Sequence, residues 1–392
     1  MSVTILRGRS GSGKSRYLTE HIKNLITNNP LEKVIVIAAG SLTFETERSI
    51  INDCSVSGIL GLQVFSIQRL AYAILENTQQ FMTNADKAVV CKKALLKLDS
   101  PFHGAADTPD FISCLSDLVS RLKDYNQTPQ SLREVETADT ALKQKLNDTA
   151  DVLEQYESLC GNKKDSADMY ALAAAKAIES EFLKNAHIII DGMDSYSPSV
   201  MLLITKLAGL CKTMHVAFRH QGTGSEADLF VSEHSDMKRF SDAVRRAGKQ
   251  ITFKNLDSSH LRYSNSDLAF LERNLYSYPY KKYDKQPEVI KLFEAQTVEN
   301  EVDMIAANII KEVASGRKYS DIVIVAGNLK NYIPTLKMKL GLSGIPFFID
   351  ERRTLADNTF FDFLYKSMIC ACADKLFLPS YAFSRYSPLD ED

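Results

Sequence analysis

Residues 8–15 read GRSGSGKS, the spacing G-x-x-x-x-G-K-[ST] of a phosphate-binding loop. Glycines at 8, 11 and 13 let the backbone wrap closely around a polyphosphate, so that amides from Gly8, Arg9, Ser10, Gly11, Ser12 and Gly13 can point at its oxygens. Lys14 is the candidate for the β and γ phosphates. The hydroxyl of Ser15 is the candidate for one position on Mg²⁺, whose other ligands are water and substrate phosphates. The cofactors expected are therefore ATP and Mg²⁺. The second acid of such a site belongs at the end of a hydrophobic strand, and Asp191 closes the run HIIID at 187–191. Its plainer reading is a strand-end aspartate in a turn. Helicases commonly follow this acid with a glutamate that activates water, but residue 192 here is a glycine, which polarises nothing. Asp194 is the remaining catalytic candidate, against an ordinary loop aspartate or helix cap. Nucleotide binding is better supported than fast hydrolysis.

Further phosphate or DNA contacts are candidates only. Ser66 and Arg69 in LQVFSIQRL (62–70) sit where the chain leaves a strand, the edge at which open α/β sheets bind ligands, or else they form a polar strand-to-helix junction. Arg262, Arg352 and Arg353 are either charge stabilisers for a phosphate or solvated surface groups.

The elements around these residues alternate. A strand at 3–6 enters the loop, and a helix with Leu18, Ile22, Leu25 and Ile26 on one face leaves it. Strands follow at 34–38 and 62–66, and then a helix around Leu70, Ile74 and Leu75. Alternation of this kind predicts a parallel sheet covered on both faces. Strand signals vanish over 86–181, where helical stripes predict an all-helical insertion. They resume at 187–191, 214–218 and 250–253, with helices between. The chain thus reads as an α/β P-loop domain over 1–85 plus 182–276, the insertion at 86–181, a Tyr-, Lys- and Pro-rich linker at 277–289, and an incomplete second α/β domain over 290–392. In that last part, strands are expected at 290–293, 322–325 and 347–349.

Bulk composition narrows the partners. With 392 residues, 45% of them hydrophobic, the chain can bury proper cores, and a formal charge of −2 supplies no global field for nucleic acid. Any DNA contact must be local. Seven scattered cysteines (54, 91, 114, 160, 211, 370, 372) contain no C-x-x-C and read as reduced thiols of a cytoplasmic protein, Cys370 and Cys372 as buried apolar residues. No uninterrupted apolar run reaches membrane-spanning length, and the first strand leaves no room for a targeting segment.

Taken in order, GRSGSGKS, SLTFETE (41–47), QVFSIQRLA (63–71), IIIDGMDSYSP (188–198), LAFLERNLY (268–276), ENEVDMIAANI (299–309), YSDIVIVAGNLKNY and GIPFFIDERRTLAD (within 319–357) resemble the AddB family, also called RexB. These are the B subunits of the bacterial ATP-dependent helicase/nuclease that processes double-strand breaks for homologous recombination. The resemblance covers essentially the whole chain. It implies a UvrD-like scaffold of two RecA-like domains with helical insertions, degenerate motor motifs, and an AddA partner that unwinds DNA, the two forming a heterodimer on single-stranded and duplex-end DNA. It also implies a C-terminal nuclease with an iron-sulfur cluster, none of whose ligands maps onto these 392 residues. Two other readings stay open: a P-loop kinase or phosphotransferase acting on a small molecule, and an interaction module gated by nucleotide.

Overall fold

The structure, a computed structural model, describes residues 2–54, 60–76, 81–98, 102–161, 163–193, 196–220, 227–256, 262–263, 265–351, 355, 358–372 and 386. It forms two units, Met1–Ile290 and Lys291–Asp392.

Six parallel strands organise the first unit: β1 (Ser2–Gly8), β2 (Val34–Ile37), β3 (Leu62–Phe65), β4 (His187–Ile190), β5 (Thr213–Arg219) and β6 (Gln250–Asn255). They lie in the order β3-β2-β4-β5-β1-β6. All four residues of β2 and of β4 are buried, and all but His187 are apolar, the near-continuous apolar pattern of a sheet covered on both faces. One face is covered by α1 (Lys14–Asn28) and α2 (Thr43–Cys54), whose Leu18, Ile22 and Ile50 pack with Leu6, Val36, Ile189 and Ala217. Alternate residues of the same strands, among them Ile5, Ile37, Ile190 and Val216, meet the helices of the other face.

The chain between β3 and β4 is helical: α3 (Ile67–Ile74), α4 (Asn84–Lys97), α5 (Pro109–Asp124), α6 (Pro129–Arg133), α7 (Thr140–Cys160) and α8 (Ser166–Lys176). Its described residues hold no strand beyond an isolated bridge between Phe81 and Lys164. Helices α4 to α7 enclose a core of their own around Cys91, Leu95, Val119, Leu153 and Tyr156. Met169, Ala173 and Ala174 of α8 instead join the sheet core. An ion triad ties the two together: Lys123 of α5 donates to Asp165 (2.6 Å) and to Asp168 (3.0 Å). Burial opposes the charge on Lys123, but the two carboxylates outweigh it and raise its pKa.

The other face is completed by α9 (Pro198–Leu210) and α10 (Val231–Arg246), and α11 (Ser266–Asn274) follows β6. Beneath α1, the rings of His21 and His215 lie 4.1 Å apart. Burial, then the neighbouring His21 and His187, push the His215 pKa down to about 4 from 6.5. Burial and His187 lower that of His21 as well. The fold thus disfavours the charged form of both imidazoles, while the unfolded chain takes up protons below pH 6.5, so stability falls as pH falls through that window. Urea titrations at pH 7 and pH 5 should differ by an amount on the order of 2 kcal/mol from His215 alone. His215→Leu should flatten the difference; an unchanged pH dependence in that variant would count against this assignment.

In the second unit, Val302, Ala306 and Ile309 of α12 (Val298–Ala314) pack on Leu336 and Leu340 of α13 (Ile333–Leu342), and α14 (Thr359–Cys372) follows. The strands expected at 290–293, 322–325 and 347–349 are not formed among the described residues. The reason lies in what alternation reports. Ile322 is extended, and Ile322 and Ile324 turn to the core while Val323 and Val325 are exposed. That pattern fixes which side chains are buried, but a strand also needs a paired backbone ladder. Cys370 and Cys372 have side chains outside the described set. Among the described residues no helix is long and apolar enough to cross a membrane.

Candidate functional site

The loop between β1 and α1 is shaped by its glycines. A Cβ at Gly8 would collide with the Ser12 hydroxyl and crowd the Ser12 Cβ (3.1 Å) and the Leu256 carbonyl (3.2 Å), so a side chain there would force its neighbours to shift. Gly13 caps α1 at φ 88°, in the left-handed region that glycine enters without steric cost. Gly11 has φ 79°, and a Cβ on it would stand 2.9 Å from the Cβ of Arg262 and 3.2 Å from the ring of Tyr263. Its bareness lets residues 262–263 close over the loop. The first turn of α1 carries no acidic residue, so the helix places none of its own carboxylates at the positive end of its dipole.

Lys14 opens α1, and its Nζ donates to the carbonyls of Gly8 and Arg9, each at 2.7 Å. These bonds hold the ammonium over the loop. Arg9 is anchored from the far side: its Nε donates to Glu272 Oε1 of α11 at 2.8 Å, and its guanidinium lies 5.4 Å from the ring centroid of Phe230. The glycine-rich loop is therefore braced by an element more than 250 residues downstream.

Asp191 follows β4 directly, and its amide donates to the carbonyl of Ile37 at 3.0 Å. Ser10, Gly11, Gly13, Lys14, Ser15, Asp191, Arg219 and Arg262 line one open cavity of about 460 Å³, within the range of small-ligand sites. Arg262 reaches Ser10 Oγ at 3.4 Å. Among the described residues no group of three or more His, Cys, Asp or Glu is arranged to hold a metal. A Mg²⁺ here would rest on Ser15, Asp191, water and substrate phosphates, a donor set that suits this ion.

Gly192 has φ 72° and open space where a Cβ would go. The missing glutamate is thus also a matter of backbone, because this conformation strains any L side chain. Asp194, Arg352 and Arg353 lie outside the described residues. Ser66 and Arg69 are not brought to the cavity. They follow β3, an edge strand separated from β1 by three others. There Ser66 caps α3 by accepting the amide of Arg69 at 3.2 Å, and the Arg69 side chain is exposed. Reading the sequence missed Arg219, Tyr263 and Glu272. Arg219 alone carried a signal, as the polar residue ending the buried strand TMHVAFR.

The family model described as ADDB, N-terminal, matches residues 5–272. The B subunit of the ATP-dependent helicase/deoxyribonuclease from Clostridium tetani is 28% identical over 391 residues, covering 94% of this chain and 34% of its own. Its namesake in Clostridium acetobutylicum is 30% identical, covering 94% and 33%. That of Anoxybacillus flavithermus is 30% identical, covering 94% and 34%. The chain spans about a third of the length of the curated relatives it matches.

Proposed function

The chain belongs to the AddB N-terminal family, and on that premise we propose that it is a nucleotide-binding, helicase-like part of the B subunit of an ATP-dependent helicase/deoxyribonuclease. The observation that carries the nucleotide half is the convergence of Lys14, Ser15, Asp191 and Arg262 on one cavity. Lys14 and the loop amides bind the phosphates; Ser15 and Asp191 hold Mg²⁺, which supplies charge neutralisation. The parallel sheet supports reading the first unit as a RecA-like P-loop domain, and family membership supports reading the second as part of another. Gly192, with its left-handed backbone, supports slow turnover. The chain's motor work then belongs to an AddA-like partner, in the cytoplasm, during double-strand break repair by homologous recombination. Contacts to single-stranded DNA come from a few local Lys and Arg side chains, so that affinity is weak and falls steeply with salt.

Thermal unfolding tests the site. MgATP is expected to raise the melting temperature of the full chain by mass action. Asp191→Asn should remove the part of the shift that depends on Mg²⁺ and leave the unliganded melting temperature in place. No shift in the parent chain, or the same Mg²⁺ dependence in the variant, would count against the assignment.

A further inference from the structure

The chain leaving α11 carries tyrosines at every second position, 276, 278 and 280. Their exposures are 69%, 78% and 82%. None of the three makes a side-chain hydrogen bond or a ring contact among the described residues. A single exposed apolar side chain is ordinary, but large rings clustered so closely mark a contact surface. The segment that carries them is held on both sides. Ser277, buried between the first two rings, donates its hydroxyl to the carbonyl of Asn274 at 3.0 Å. Beyond the third, the Tyr283 ring lies 4.6 Å from that of Phe270, and its hydroxyl donates to the buried Asp267 at 2.6 Å. Asp267 also accepts the amide of Glu288 at 2.7 Å. Helix α11 thus fixes the backbone around the rings and leaves the rings uncovered, so that little of this segment has to be ordered when a ligand arrives. Lys281 and Lys282 follow directly, both exposed and without an ion pair among the described residues. No acid lies within 276–282, in a chain whose formal charge is −2.

We propose, on the DNA-binding reading of this chain, that Tyr276, Tyr278 and Tyr280 form a stacking platform for single-stranded DNA, with Lys281 and Lys282 on its phosphates. Flat aromatic faces accept any unpaired base, and the bases of one strand are joined by the phosphates that neighbouring cations neutralise. Paired bases keep their faces inside the duplex, so the platform selects single strands. Two lysines with no acid among the rings suit a polyanion better than a protein surface of mixed charge. None of these residues lines the cavity at Lys14, which makes the platform a second site.

Anisotropy of a labelled oligothymidylate, titrated with the full chain, tests this. Tyr276→Ala, Tyr278→Ala and Tyr280→Ala combined are expected to weaken binding by roughly 100-fold or more, while Tyr→Phe at the same three positions, which keeps the stacking faces, changes it by less than about twofold. Affinity for a blunt duplex should be the same in all three proteins. Lys281→Gln with Lys282→Gln should lower the slope of log affinity against log salt by about 1.4, at roughly 0.7 for each phosphate contact on a single strand. The chain has no tryptophan, so tyrosine emission can be followed directly, and its quenching by the oligonucleotide should diminish in the alanine variant. An alanine variant that binds oligothymidylate as the parent does overturns the proposal; loss of a parent dimer in that variant would then assign the rings to a second copy. Equal losses for single strand and duplex overturn it too, because stacking on unpaired bases cannot produce them. A parent chain that binds no single strand overturns the DNA-binding reading itself, an outcome distinct from both.

Discussion

Lys14→Ala is expected to weaken MgATP binding by about 100-fold, the loss of charge-assisted hydrogen bonds to a polyphosphate. Two features of the site argue for an effect this large. The Lys14 ammonium is held in place by the carbonyls of Gly8 and Arg9, so little side-chain entropy is lost when phosphate arrives. No acidic side chain lies in the first turn of α1 to share the charge of the ligand. Calorimetric titration of parent and variant reads the change directly. The variant should fold as the parent does, because alanine is a good helix former and Lys14 is only partly buried. Equal affinities would remove Lys14 from the site.

Lys123→Met is expected to cost about 3–5 kcal/mol of folding stability, although it lies far from the glycine-rich loop in sequence. Asp165 is 1% exposed and Lys123 15%, so the variant takes the ammonium from a buried carboxylate. The loss falls on the junction between the α4–α7 core and α8, which belongs to the sheet core. A triple variant, Lys123→Met with Asp165→Asn and Asp168→Asn, should recover much of it, because the buried charge has gone along with its partner. Urea midpoints of parent, single and triple variants check this. A single variant as stable as the parent would show the triad to be dispensable.

The α/β class was legible because parallel strands buried on both faces are near-continuous apolar runs, as VIVI is throughout and HIII is after its first residue. Strand order was not legible. Nothing in local sequence says that β5 inserts between β4 and β1, and only that order sets Arg219 beside Gly8. The same limit hid Glu272, which reaches Arg9 only once α11 has folded back on the loop. The strands expected in the second unit misled for the opposite reason: alternation at 322–325 is genuine, yet no ladder is formed there among the described residues. At the candidate site, GRSGSGKS was readable because its spacing encodes backbone shape. Ser66 and Arg69 were ambiguous because a strand-to-helix junction and a ligand-binding edge call for the same residues.

The most direct measurement is to incubate the full chain with Mg²⁺ and γ-labelled ATP, separate it from free nucleotide, and identify what it carries. One intact ATP per chain is expected, with label released far more slowly than the roughly 10 turnovers per second of a typical enzyme. Recovery of the chain without nucleotide would contradict the binding site built on Lys14, and sustained release at that typical rate would contradict the meaning assigned to Gly192.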